Sequence, residues 1–349
     1  MFALCSRRYT GAKTKLLKAI DCVLLKHFDY TKYNALSFFD VFAGTGVVGE
    51  YFLQKHNFTH FILNDFLESN FVIYQGFFSQ TPFSQTKLTN LAKDLENLNP
   101  KILENNYYAK HFGNTFFSQN NALVIGAIRE RLDVLLHTKQ INQKEFYILL
   151  SSLLYSSDRV ANTVGHYDAY RKNIPLKDAF KFELIQSIKT KAEIEIFKED
   201  SNTLVKQFIK EGRTIDIAFI DPPYNSRQYS RFYHLLETLS QNDKPKLYGV
   251  ALKPEPKNLS KYCKTEAKVA FIDLIENLAK MSKILVVTYN NTYTSKSSSS
   301  RNKIQLEEIR AALESVAKTS IYEFDHKAFS SGKTEFHKHK ECVFIGKVR

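Results

Sequence analysis

Between residues 15 and 28 apolar side chains recur at helical spacing, and the next apolar run, ALSFFDVFAG at residues 35–44, is short, aromatic and closed by a glycine. The first stretch predicts an amphipathic helix and the second a buried strand running into a turn. VVGEYFLQKH returns to the helical period and FTHFILND, residues 58–65, reads as the next strand, so the chain opens as a βαβ unit with an acid closing its second strand. From about Gln75 to Lys189 that rhythm is lost, and asparagine-rich and aromatic stretches mix with helices such as EFYILLSSLLYSSDRV. Strand-like EIEIF, a helix over residues 203–210 and the strand IAFI restore it. Helices are predicted near residues 232–239, 269–281 and 304–316, and strands at KILVVTYNN, SIYEFDHKAF and ECVFIGKV, with the low-complexity SKSSSSRNK as a loop.

The pattern predicts an α/β catalytic domain made of residues 1–75 and 190–349, interrupted by an inserted, mostly helical domain of residues 76–189. With 349 residues, 44% of them hydrophobic, the chain can bury cores of that size. Charge sharpens the picture. A formal +13 at pH 7 favours a polyanionic partner, because lysine and arginine near phosphates release condensed counterions. Cys5, Cys22, Cys263 and Cys342 lie far apart without CxxC or Cys/His ligand spacing, so neither a zinc site nor a disulfide framework is expected and a reducing cytoplasm fits. HKHK near the C-terminus has no cysteine or carboxylate cluster beside it, and no metal is expected at His326, His337 or His339. The N-terminal MFALCSRRYTGAK reaches Arg7 and Arg8 before any long apolar segment, and no apolar run approaches the ~18 residues of a membrane span, so a soluble chain without a signal peptide is expected.

Two motifs carry chemistry. GTGVVG, residues 44–49, fits GxGxxG between a strand and a helix, and Asp65 stands 19 residues beyond Gly46. The glycines let a ligand approach the backbone, and an acid closing the second strand can accept both ribose hydroxyls. That combination suits NAD, ATP or S-adenosylmethionine alike. DPPY, residues 221–224, follows the IAFI strand, which Pro222 and Pro223 must end because neither donates a ladder hydrogen bond. There Asp221 can accept one N–H of an exocyclic amine and the Pro222 carbonyl the other, while Pro223 fixes the turn that converges them. Tyr224 would stack on the base and hold its amine for in-line attack on a methyl sulfonium. A nicotinamide dehydrogenase has no use for such an acceptor pair. In SRQYSRFYHLLE, Arg227 and Arg231 lie one turn apart if the run is helical, as do Tyr229 and Tyr233, which suggests a nucleic-acid backbone contact or a wall for a flipped base. Packing beneath the sheet accounts equally well for Phe232 and Tyr233.

Taken together, RYTGAKTKLL ending at Leu17, DVFAGTGVVG at residues 40–49 and DPPY resemble the Dam-like, alpha-class adenine-specific DNA methyltransferases, in which an N-terminal cofactor motif and the glycine loop both precede DPPY. The resemblance covers roughly residues 1–75 and 190–349. It implies a Rossmann-like S-adenosylmethionine-dependent methyltransferase fold, with a mixed, mainly parallel sheet and an inserted target-recognition domain. It further implies S-adenosylmethionine as cofactor, without a metal, contacted by Tyr9, Gly11, Lys13, Phe42, Gly44, Gly46, Asp65 and Asp221, with Asp200 accepting from its adenine amine. The implied activity is site-specific methylation of adenine N6 in double-stranded DNA after base flipping, in a bacterial cytoplasm at the nucleoid, with a cognate restriction endonuclease as further partner. Methylation of an adenine or guanine amine in RNA stands as the alternative, since DPPY-like turns serve that chemistry too. Within the insertion, residues 156–172 are the candidate recognition element. Arg159, Asn162, His166 and Arg171 can read base edges or phosphates, and Tyr167 or Tyr170 can fill the gap left by a flipped base.

Overall fold

Seven strands form one sheet among the described residues: β1 Leu36–Asp40, β2 Phe58–Asn64, β3 Glu193–Phe197, β4 Ile215–Ile220, β5 Ser282–Asn290, β6 Ala317–Asp325 and β7 Lys340–Val348. The computed structural model describes residues 3–291, 301–325 and 339–349. Most of the serine-rich loop, together with His326 and His337, lies outside them. The chain divides into two compact units, and the one that holds the sheet comprises Gly11–Phe66, Thr190–Gln228 and Asn258–Arg349.

The strand order is β3-β2-β1-β4-β5-β7-β6, with β1 to β5 parallel and β7 antiparallel to both β5 and β6. This is the mixed, mainly parallel sheet expected. β4 reads as an almost unbroken apolar run because it is central and covered on both faces, whereas β3, at the edge, carries alternating glutamates and is partly exposed along its length. Helices Ser201–Lys210, Ala267–Ala279 and Leu306–Val316 send Leu204, Phe208, Phe271, Leu274, Ile309 and Leu313 into a core shared with Phe39, Ile62, Ala218 and Leu285 of the strands. From β1 the chain winds outward through β2 and β3, then returns to β4 on the other side of β1. That reversal opens a crevice at the carboxyl ends of β1 and β4, the place where such sheets bind ligands.

The second unit, Met1–Thr10 with Leu67–Lys189 and Tyr229–Lys257, is helical. Its longest-buried element is the helix Gln143–Val160, opened by a capping box in which Asn142 and Glu145 satisfy each other's backbone N–H groups. Helix Glu68–Phe77 approaches it so closely that a Cβ on Gly76 would fall 2.4 Å from Ser151 Oγ. The unit therefore differs from the predicted insertion of residues 76–189, because it also takes residues 1–10, 67–75 and 229–257. The physical reason lies in packing that periodicity does not report. Helix Glu68–Phe77 runs straight through the predicted boundary, and helix His234–Gln241 is held by Arg129, which donates to the Leu239 and Ser240 carbonyls at 2.7 and 3.2 Å.

Candidate active site

At the end of β1 the glycine loop is pinned on both sides: the Val41 N–H donates to Phe219 of β4 at 2.9 Å, and the Ala43 N–H to Asn64 of β2 at 2.8 Å. Gly44 and Gly46 have φ of 53° and 83°, in the left-handed region that side chains disfavour. Gly49 is needed for a different reason, since a Cβ there would lie 2.7 Å from a Leu63 methyl of β2. Asp65 accepts from the Gly44 N–H at 2.9 Å, so the acid closing the second strand also holds the shape of the loop. Phe42 meets Tyr262 edge-on at 5.0 Å, and Tyr262 is buried near the charge of Asp200. Asp200 itself caps helix Ser201–Lys210, accepting from the Thr203 N–H at 3.0 Å, which is the structural role its place before Ser-Asn-Thr allows.

β4 delivers Asp221 to the same edge of the sheet. Its Oδ1 accepts from the Tyr224 hydroxyl at 2.6 Å and the Thr288 hydroxyl at 2.8 Å, and its Oδ2 accepts from the Lys13 ammonium at 2.6 Å. Lys13 is buried, donates to the Gly11 carbonyl at 3.0 Å and lies 3.3 Å from Glu341 Oε1. Gly11, with φ of 87°, makes the turn that brings the lysine back on its own loop. Burial pushes the Asp221 carboxyl above its usual range, Lys13 opposes that rise and Glu341 adds to it. Burial acts to lower the Lys13 pKa, but the two carboxylates outweigh it and hold the ammonium above its ordinary value. Each carboxylate oxygen has two acceptor positions. Oδ1 uses both, Oδ2 keeps one, and no donor among the described residues reaches the Pro222 carbonyl.

Three residues of this site were missed in the sequence. Asp40 ends β1, Thr288 lies two residues before the end of β5 and Glu341 is the second residue of β7, and only Asp40 had a signal, as the acid that opens DVFAGTG. Asp40 is 1% exposed and neither of its oxygens has a hydrogen-bond partner among the described residues. Burial, then the charges of Asp221 and Asp65, raise its pKa well above the carboxylate range; the Gly49 N–H draws it down weakly without normal hydrogen-bond geometry.

At the end of central strand β4, near a glycine loop pinned by Asp65, Asp221 Oδ2 and the Pro222 carbonyl keep acceptor positions that no described donor fills. Residues 9–311 match the family of D12 class N6 adenine-specific DNA methyltransferases. The chain belongs to that family. It is 33% identical over 298 residues to the modification methylase StsI of Streptococcus sanguinis, a match covering 81% of this chain and 44% of that one. It is 28% identical over 338 residues to the type II methyltransferase M.NlaIII of Neisseria lactamica, covering 95% of each. Against the type II methyltransferase M.CviAII of Paramecium bursaria Chlorella virus 1 the identity is 31% over 333 residues, covering 93% and 92%. This chain thus spans less than half the length of the StsI relative but nearly all of the other two.

In this D12-class chain the expected contact residues divide between the two units. Tyr9 belongs to the helical unit, where its ring stacks on Tyr233 at 4.8 Å and on Tyr229 at 5.3 Å. Phe232 and Tyr233 belong to that unit too; Phe232 lies flat on His166 at 4.5 Å. Asn162, His166 and Tyr167 are buried, which corrects their reading as base-edge or gap-filling residues. Asn162 bridges the carbonyls of Thr115 and Arg171 with its amide, and the Tyr167 hydroxyl donates to Asp158 at 2.8 Å, so both serve to fix the segment after helix Gln143–Val160. Arg159 and Arg171 are exposed as a contact role requires, Arg159 pairing with Glu183 at 2.8 Å. The helix expected to align Arg227 with Arg231 begins only at Tyr229, and Arg231 donates to the Pro254 carbonyl.

Proposed function

We propose that the protein moves a methyl group from S-adenosylmethionine to the exocyclic N6 of adenine in double-stranded DNA, as the modification enzyme of a restriction-modification system. The observation that carries this reading is the acceptor position of Asp221 Oδ2 and the Pro222 carbonyl that no donor among the described residues takes up, two acceptors for the two hydrogens of one amine. Membership of an adenine N6 DNA family favours it over the RNA alternative. Among the described residues no helix is long and apolar enough to cross a membrane.

The residues present fit the cofactor. Asp40, whose buried oxygens have no hydrogen-bond partner among the described residues, offers acceptors at the start of the glycine loop for the donor groups of such a ligand, an ammonium and hydroxyls. Gly11, Lys13, Phe42, Gly44, Gly46, Asp65 and Asp200 are the residues proposed to hold it, and when bound it supplies the electrophilic methyl. Asp221 and Pro222 accept the amine hydrogens and leave the nitrogen lone pair directed outward, Pro223 fixes their turn, and Tyr224 lies against the base. Because burial raises its pKa, Asp221 is also suited to take the proton the amine releases. The test is transfer of labelled methyl from S-adenosylmethionine to DNA, with the product digested and identified as N6-methyladenine. Label entering RNA and not DNA would overturn the reading.

Asp65→Ala should weaken S-adenosylmethionine binding by roughly 1.5–3 kcal/mol through loss of charge-assisted hydrogen bonds. Calorimetry checks this, and unchanged affinity would limit Asp65 to holding the Gly44 N–H. The helical unit is proposed to recognise the target, with Arg159, Arg171 and Arg231 as its candidate DNA contacts and Arg227 of the sheet unit as a further one. Arg171→Ala should leave cofactor affinity intact while weakening DNA binding; a phosphate contact lowers the salt slope for all sequences, and a base contact relaxes one position.

A further inference from the structure

Glu341 is the buried acid that the acceptor pair does not account for. It stands near the start of β7, paired with Asn290 of β5 on one side and Phe324 of β6 on the other, and is 2% exposed. A buried carboxylate is costly unless it is paired and hydrogen-bonded. Its Oε1 lies 2.5 Å from the Tyr224 hydroxyl and 3.3 Å from the Lys13 ammonium, the same two groups that hold Asp221. Tyr224 has one hydroxyl proton and two carboxylate oxygens in reach, Asp221 Oδ1 at 2.6 Å and Glu341 Oε1 at 2.5 Å, so it donates to one at a time. Lys13 is likewise shared, and sits nearer to Asp221.

We propose that Glu341 is a positioning residue for methyl transfer: acting through Tyr224 and Lys13 it sets the orientation and charge of Asp221, and it receives the Tyr224 hydrogen bond when Asp221 becomes protonated. The proposal rests on the methyltransferase reading above. In the step concerned, the N6 lone pair forms the bond to the methyl carbon and the carbon–sulfur bond breaks with its electrons going to sulfur. The amine then carries one proton too many, and Asp221 Oδ2 takes it. Protonated Asp221 is the weaker acceptor, so the Tyr224 hydroxyl turns to Glu341, whose charge stays balanced by Lys13. Asp221 returns its proton to solvent before the next turnover.

The titratable groups that face Asp221 are Lys13 from the segment before the first helix, Tyr224 from its own loop, Glu341 from β7 and Asp40 from β1, with the neutral Thr288 from β5. Removing the Glu341 charge leaves Lys13 to Asp221 alone, so Asp221 should ionise at lower pH. Glu341→Gln keeps the shape and removes the charge. Its kcat should fall on the order of tenfold to a hundredfold through misplacement of Asp221, with KM for S-adenosylmethionine within about threefold of wild type. The acidic limb of its kcat profile should move to lower pH, whereas Glu341→Asp, which keeps the charge, should leave that limb in place.

A double-mutant cycle separates positioning from general damage. In a Tyr224→Phe background, Glu341→Gln should cost less than in the wild type, with circular dichroism and thermal melting showing each variant folded. A folded Glu341→Gln with wild-type kcat and pH profile would overturn the proposal, as would an equal loss in both backgrounds. If Glu341→Gln melts below the assay temperature, Glu341→Asp carries the same cycle through the Tyr224 contact. A wild-type protein that puts no methyl on DNA adenine would instead overturn the functional reading, and this role with it.

Discussion

Asp221→Ala should lower methyl transfer by at least about a hundredfold, roughly 3 kcal/mol, because a well-placed acceptor in a water-poor site is worth that much. Cofactor affinity should stay within a few-fold of wild type, since the proposed partner of its remaining acceptor position is the target amine. The surroundings make this a clean experiment. Lys13 keeps Glu341 within 3.3 Å and the Tyr224 hydroxyl keeps it within 2.5 Å, so neither group loses every partner. Single-turnover methylation with calorimetry of S-adenosylmethionine decides the matter, and a variant retaining a tenth of the wild-type rate would remove Asp221 from the chemistry.

Lys13→Met should be the most destabilising change at this site, by about 3–5 kcal/mol near neutral pH, because it leaves two buried carboxylates without their shared cation. Its pH dependence follows from the sign of the shifts. Burial already raises the Asp221 pKa and Lys13 pulls it down, so without the lysine the folded-state value rises further above the unfolded one. An acid raised in this way favours folding when protonated, an effect fully present below its unfolded pKa and lost as pH rises through the folded one. The deficit should therefore shrink as pH falls toward 4, measured by urea unfolding of both proteins across that range. A deficit independent of pH would mean that Lys13 contributes by packing alone.

Both results would rest on a residue that periodicity alone treats as an ordinary lysine ahead of a helix. Lys13 was singled out by resemblance, but its pairing with Asp221, 208 residues away, follows from β4 and the N-terminal segment meeting at one edge of the sheet. The glycine loop and DPPY were readable because each needs a local backbone property, a left-handed φ or the absence of an N–H, that few residue types supply. The segment from Arg159 to Arg171 was misread in part because composition cannot say which polar side chains turn inward. Asn162 and Tyr167 look like recognition residues in sequence and are tethers in the fold.

The sequence by itself determined the order of the seven strands, the breaks that end them, and the two motifs placed where β1 and β4 stop, because these depend on side-chain period and on local backbone constraints. The tertiary structure decided everything that depends on strand order in space. β7 comes last in the chain yet lies between β5 and β6, and that insertion carries Glu341 to the Tyr224 hydroxyl, 117 residues away in sequence. It decided, too, that residues 1–10 and 229–257 join the helical unit, because helix boundaries follow periodicity while unit boundaries follow which buried faces meet.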